Sequence, residues 1–139
     1  MKEMIRIVTD SSADLLSTVL ERFGIEVVPL SVLFGMDVYQ DGDLSVEEFW
    51  AKASGPQHPR TSQPPVGAFR NVFEQLVAGG RQVLCLTVTS AHSGTFSAAS
   101  LAAAHFGQAV QVFDSHSVSS GLGFLVTTAA EAARAGRTM

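Results

Sequence analysis

Charge is the scarcest commodity in this sequence. Only 16% of its 139 residues are charged, while 46% are hydrophobic; an average soluble domain has about a quarter charged. Disordered chains combine low hydrophobicity with high net charge, so this composition excludes disorder. Positive charge is the scarcer sign. Nine Lys and Arg face thirteen Asp and Glu, for a formal net charge of −4, and the basic footprint of a nucleic-acid binder is missing. A lone cysteine, Cys85, excludes an intramolecular disulfide and any multi-cysteine zinc site, and it fits a reducing compartment. No apolar run approaches the roughly 20 residues that span a bilayer. The opening Met1-Lys2-Glu3-Met4-Ile5-Arg6 lacks the apolar core of a signal peptide. These absences predict a single cytoplasmic domain able to bury a core. They also predict that a face so poor in charge is meant to be covered.

What is present alternates between two periodicities. Ile5–Thr9, Val83–Val88 and Val110–Phe113 are short, nearly continuous apolar runs, the pattern of parallel strands buried on both faces. Glu26–Phe34 contains Pro29, which has no N–H for a central ladder, so this run is an edge strand or is broken there. Gly35-Met36 then turns the chain into Asp37-Val38-Tyr39, a short hairpin. Helical spacing runs from Ala13-Asp14 to Arg22, with Leu15, Leu16, Val19 and Leu20 inward and Gly24 as the stop. Ser45 and Glu48 form a capping-box signature. Pro64-Pro65-Val66 opens a helix to about Ala78, proline being tolerated in a first turn. Further helices span Gly94–Ala104 and Ser119–Arg134. The alternation predicts one α/β domain over residues 1–139, with a mainly parallel sheet sandwiched between helices and no internal repeat or linker.

Ligands of open α/β sheets bind outside the carboxyl ends of the strands. Here those ends carry Thr9-Asp10-Ser11-Ser12, Thr89-Ser90-Ala91-His92-Ser93-Gly94-Thr95 and Asp114-Ser115-His116-Ser117, and Arg60-Thr61-Ser62-Gln63 precedes a helix start. Two readings stay open. Ser, Thr and Asp are the preferred helix caps; the same hydroxyls beside free N–H groups at a helix N-terminus also make a cradle for a carboxylate or phosphate.

Catalytic templates fit poorly. Ser93 follows a buried strand and has His92 beside it, but Ala91-His92-Ser93-Gly94-Thr95 has neither glycine of the G-x-S-x-G elbow in place. Asp10 lacks the second aspartate of an aspartyl-phosphate site, since Ser12 stands there, and it reads as an organiser of its own turn. His58, His92, His105 and His116 show no metal-ligand spacing. Cys85 reads as a small buried hydrophobe. No P-loop is present, and the glycines of Gly121-Leu122-Gly123 read as sites of close helix packing rather than a dinucleotide fingerprint. A serine hydrolase on Ser93 and a binder of small anions or phosphoesters stand as the readings these residues leave open.

The clusters together resemble the DegV family of bacterial fatty-acid-binding proteins. The resemblance lies in Ile7–Leu15, Val28-Pro29-Leu30, Arg60-Thr61-Ser62-Gln63-Pro64, Ser93–Ala99 and Val112–Gly123, in the family's order across nearly the whole chain. It implies a non-enzymatic carrier that binds a long-chain fatty acid through its carboxylate and presents it to a separate fatty-acid kinase subunit. The fatty acid is the ligand, and no cofactor is implied. The T-S-Q-P threonine is Thr61 and the S-G-T serine is Ser93, both implied to hydrogen-bond the carboxylate, with Ser62 and the N–H groups of Gly94 and Thr95 as supporting donors. The resemblance also implies a second domain, absent from this chain, whose histidine helps hold the carboxylate; none of the four histidines here corresponds to it. The chain is thus expected to be the N-terminal half of a two-domain protein, with transient contact with a membrane surface and self-association as further expectations.

Overall fold

The computed structural model describes residues 4–139; of the N-terminal stretch discussed above, Met1–Glu3 lie outside them. The main sheet takes its strands from the runs that the sequence singles out. Strands β1 (Ile5–Asp10) and β2 (Glu26–Val28) flank helix α1 (Ser17–Phe23). The chain then leaves this sheet and builds a second one from β3 (Ser31–Phe34), β4 (Asp37–Gln40) and, after helix α2 (Val46–Ala53), β5 (Arg60–Ser62). Helix α3 (Val66–Ala78) leads back to β6 (Gln82–Thr87), followed by α4 (Thr95–Ala103), β7 (Val110–Asp114) and α5 (Ser120–Arg134).

The four-stranded sheet runs β2-β1-β6-β7, with every pair parallel. Helices cover both faces, as a parallel sheet requires. On one side, Phe69, Phe73 and Leu76 of α3 and Ala98, Ala99 and Ala102 of α4 pack on Val8, Val83 and Cys85. On the other, Phe23 of α1 and Leu122, Val126 and Ala130 of α5 pack on Ile5, Ile7, Leu86 and Val88. The expected α/β sandwich is therefore present. So is the close packing at Gly123, where a Cβ would stand 2.7 Å from the Ala13 carbonyl oxygen.

Pro29 divides its run between two sheets. β2 pairs with β1 as an edge strand. Two residues later β3 begins the antiparallel sheet β4-β3-β5. The hairpin expected around Gly35-Met36 is present, with Phe34 opposite Asp37. The crossover is tied to the end of β1, because the Leu30 N–H donates to Ser11 Oγ at 3.0 Å. The small sheet thus hangs from the carboxyl edge of the large one.

Two expectations need correction. Helix α1 does not begin at Ala13-Asp14. Ser11–Ala13 form one 3-10 turn, Asp14 adopts φ 50°, and Leu16 is the N-cap. Leu15 still packs into the core, but Leu16 is exposed, because the turn that Asp10 caps intervenes before the helix. Arg60-Thr61-Ser62 is not merely the approach to a helix. It is β5, paired antiparallel with β3, a partner that its polar side chains could not advertise.

Candidate functional site

Parallel strands that share a carboxyl edge leave a crevice where the strand order reverses. Here the chain adds β2 on one side of β1 and β6 on the other, so the crevice lies between β1 and β6. Asp10 closes its floor. One carboxylate oxygen accepts from the Val88 N–H at 2.8 Å, and the other accepts from the Ser12 N–H at 2.9 Å and from the Ser12 hydroxyl. Asp10 is fully buried. It organises its own turn, as expected, and also clamps the ends of the two central strands together.

The third strand end is braced in the same manner. Asp114 Oδ1 accepts from the N–H groups of Ser90 and His116, each at 3.1 Å. Hydrogen bonding by Ser90, with further help from the His116 N–H, holds this carboxyl below the usual aspartate range. Ser115 Oγ accepts from the Ser117 N–H at 3.1 Å, and Thr89 Oγ1 accepts from the Ala91 N–H. The cap reading therefore describes most of the hydroxyls on this edge: they satisfy turns.

The segment opening α4 differs. Ser93 Oγ lies 2.8 Å from Thr95 Oγ1 and accepts the Thr95 N–H at 3.2 Å. Thr95 is fully buried and Ser93 half-buried. Gly94 is the N-cap, and no side chain caps the helix. The Gln63 amide lies over Gly94, where an added Cβ would meet Gln63 Oε1 at 2.5 Å. Beside this contact opens a cavity of about 520 Å³, lined by Ser31, Ser62, Gln63, Pro64, Val66 and Ala98 among others.

Of the five residues expected at the site, Ser93, Gly94 and Thr95 sit together at the α4 start, and Ser62 lines the adjoining cavity with Gln63 and Ala98. Thr61 stands apart. It pairs with Val32, and strand alternation carries its side chain to the face opposite that of Ser62. It is exposed, and its hydroxyl makes no hydrogen bond among the described residues. Sequence reasoning passed over Gln63 as a site residue. The signal was available in the T-S-Q-P segment, but its contact with Gly94 depends on β5 being a strand.

The partners of Ser93 Oγ are both atoms of Thr95, and the His92 imidazole is not among them. Burial pushes the Cys85 thiol far up, with the nearby Asp10 charge adding to the effect, so it stays protonated and inert. Among the described residues no three His, Cys, Asp or Glu could hold a metal ion, and no helix is long and apolar enough to cross a membrane.

The family model described as "Uncharacterised protein, DegV family" matches residues 4–139. A DegV domain-containing protein of Deinococcus radiodurans is 42% identical over 137 residues, covering 97% of this chain and 49% of that protein. One from Streptococcus pneumoniae is 39% identical with the same coverages. Among solved structures, a fatty-acid-binding DegV family protein from Thermus thermophilus superposes with a TM-score of 0.91 at 33% identity, over 98% of this chain and 49% of that one. The fatty-acid-binding DegV of Bacillus subtilis gives a TM-score of 0.86 at 30% identity, over 97% and 49%. The chain spans about half the length of the curated relatives it matches. With the motifs, the fold and these matches in agreement, the chain belongs to the DegV family.

Proposed function

We propose that this chain binds a long-chain fatty acid through its carboxylate and acts as a carrier that presents the acid to a partner kinase subunit. The observation that carries the reading is the opening of α4. The Gln63 amide lies over Gly94, between Ser93 and Thr95, and Gln63 and Ser62 line a cavity with Ser31, Pro64, Val66 and Ala98. N–H groups at a helix N-terminus favour an anion, and the mainly polar lining of this cavity suits the head of the acid, with Pro64, Val66 and Ala98 where its chain begins. A carboxylate removed from water stays ionised only if several donors reach it. Ser93, Ser62, Thr61 and the N–H groups of Gly94 and Thr95 are the proposed donors. These donors are neutral hydroxyls and N–H groups, with no fixed cation, which leaves the acid exchangeable and its oxygens open to a phosphoryl donor held by the partner. The reading gives the carrier itself no chemical step and sets it in a reducing cytoplasm.

Thr61 faces away from Ser62, and on this reading the chain supplies one wall of the site. We propose that the chain is the N-terminal half of the protein, that a second domain supplies the other wall, and that the acid draws Thr61 and Ser93 onto its two oxygens. Mass spectrometry of the denatured full-length protein is expected to release an acyl chain. Thr61→Ala and Ser93→Ala are each expected to weaken oleate binding at least tenfold; the thermal midpoint should stay nearly unchanged in Thr61→Ala and fall in Ser93→Ala, which also strands the buried Thr95 hydroxyl. An acyl-free protein, unchanged affinity in both variants, or thermal protection by phosphate but not by oleate would overturn the reading.

A further inference from the structure

The formal charge of this chain is concentrated in one place. The segment Asp37–Ala53 contains Asp37, Asp41, Asp43, Glu47 and Glu48 against Lys52 alone. It therefore holds the whole net charge of −4, and the rest of the chain is balanced, eight acids to eight bases. Local contacts do not neutralise the segment. Lys52 sits 5.3 Å from the centre of the Tyr39 ring, and Asp43 accepts only the Gln40 N–H.

The same segment leaves apolar surface open. α2 buries no residue completely. Val46 is 68% exposed and Trp50 62%. With Val32, Leu44 and Phe49 they line a groove of about 270 Å³, and Asp41 stands at its rim. An apolar floor with an acidic rim discriminates among occupants. The rim repels a free carboxylate, a phosphate backbone and an anionic lipid surface alike. A second copy docked symmetrically would set two such rims against each other. A basic surface carrying an apolar side chain satisfies both features: complementary charges steer the encounter, and a large aromatic such as Trp50 anchors the contact.

We infer that the groove between β3 and α2 docks a protein partner whose contact surface is basic and inserts an apolar side chain. This rests on the functional reading above, under which that partner is the kinase subunit. The groove then serves recognition, separately from the Ser93 cradle that serves the ligand.

The test is steady-state phosphorylation by the kinase subunit of the same organism, with fatty-acid-loaded, full-length carrier as the varied substrate. Glu47→Lys and Trp50→Ala are each expected to raise KM for the carrier about tenfold, with kcat, acyl content and thermal midpoint unchanged. Raising the salt concentration should raise the wild-type KM, and raise that of Glu47→Lys, whose segment keeps a charge of −2, less steeply. An unchanged KM in both variants, with the acyl load retained, would overturn the docking site. A wild-type carrier that takes up no acyl chain would instead overturn the functional reading. Trp50 is the sole tryptophan of these 139 residues; with any tryptophan elsewhere in the full-length chain replaced by Phe, its fluorescence settles the rival occupants. A blue shift on phosphatidylcholine vesicles without kinase assigns the groove to a membrane, and failure of acrylamide to quench Trp50 in the full-length chain assigns it to the second domain; either result refutes the proposal.

Discussion

In the four-stranded sheet, β1 buries five of its six side chains completely, and the cores on its two faces hold α3 and α4 on one side and α1 and α5 on the other. In the three-stranded sheet, Phe34 alone is fully buried among the strands, β5 is exposed throughout, and α2 buries nothing completely. Both regions have regular ladders, and α2 of the small-sheet region has a full capping box where α1, α3, α4 and α5 have no side-chain cap, so the small region does not lack hydrogen bonds. What it lacks is apolar burial. The large sheet is finished by its own helices. The small one is held by an aromatic chain, Tyr39–Phe34–Phe49–Trp50, with successive ring centroids 6.5, 5.7 and 5.2 Å apart. The difference separates a scaffold from a working surface: the residues proposed to meet the ligand and the partner sit on or beside the less buried region.

If this division is real, the two regions respond unequally to the loss of an aromatic ring. Phe73 is fully buried and touches Phe69 and Phe106 through its ring. Phe73→Ala is expected to cost about 3–5 kcal/mol of global stability, read from the urea midpoint by circular dichroism. That is a large share of the roughly 5–15 kcal/mol that a domain possesses. Trp50→Ala, which removes an exposed ring, should cost no more than about 1 kcal/mol. Equal losses would erase the distinction. A smaller effect is expected at the seam between β1 and β6. Asp10→Ala strands the buried Val88 N–H and leaves the Ser12 N–H without its acceptor. It should cost about 1–3 kcal/mol and raise hydrogen exchange at Val88 in particular. Unaltered exchange there would show that the seam holds without its clamp.

The scaffold was largely legible in the sequence, and the working surface only in part: the β3–β4 hairpin and the α2 capping box were, and β5 was not. β1, β6 and β7 follow from continuous β-branched runs, and α3 and α5 from long apolar periodicities ended by Gly79 and Gly136, because burial on both faces or along one stripe imprints itself on every residue. β5 carries no such imprint. Arg60, Thr61 and Ser62 are all exposed, and only the distant β3 makes them a strand. The start of α1 was misplaced for a related reason. Asp14 adopts φ 50° in a turn capped by Asp10, a local choice that outweighs the helical spacing of Leu15 and Leu16. For the site, the motifs named Thr61, Ser62, Ser93, Gly94 and Thr95. The Gln63 amide over Gly94 is a contact across 31 positions of sequence, and periodicity cannot report it.

The smallest expected effect is also the most local. Ser45 and Glu48 form a complete capping box: the Ser45 N–H donates to Glu48 Oε2 at 2.8 Å, and the Glu48 N–H donates to Ser45 Oγ at 3.2 Å. Ser45→Ala removes one half and should cost about 1 kcal/mol of helix stability. With so little packing behind α2, that loss should appear as faster exchange of the α2 amides while the global midpoint barely moves. The backbone bond from Ser45, followed by its side-chain bond, lowers the Glu48 carboxyl below its ordinary range. A depressed carboxyl stabilises the fold above its unfolded value and loses that contribution as pH falls through its folded value. That contribution is complete at neutral pH, begins to fall near the ordinary glutamate value of about 4.3, and is lost as pH drops through the lower folded value; because Ser45→Ala keeps the backbone bond to Glu48, exchange of the α2 amides should quicken on acidification in wild type and variant alike. A midpoint shift as large as that of Asp10→Ala would mean that α2 unfolds with the scaffold as one unit, and the two regions would then have to be treated as a single cooperative body.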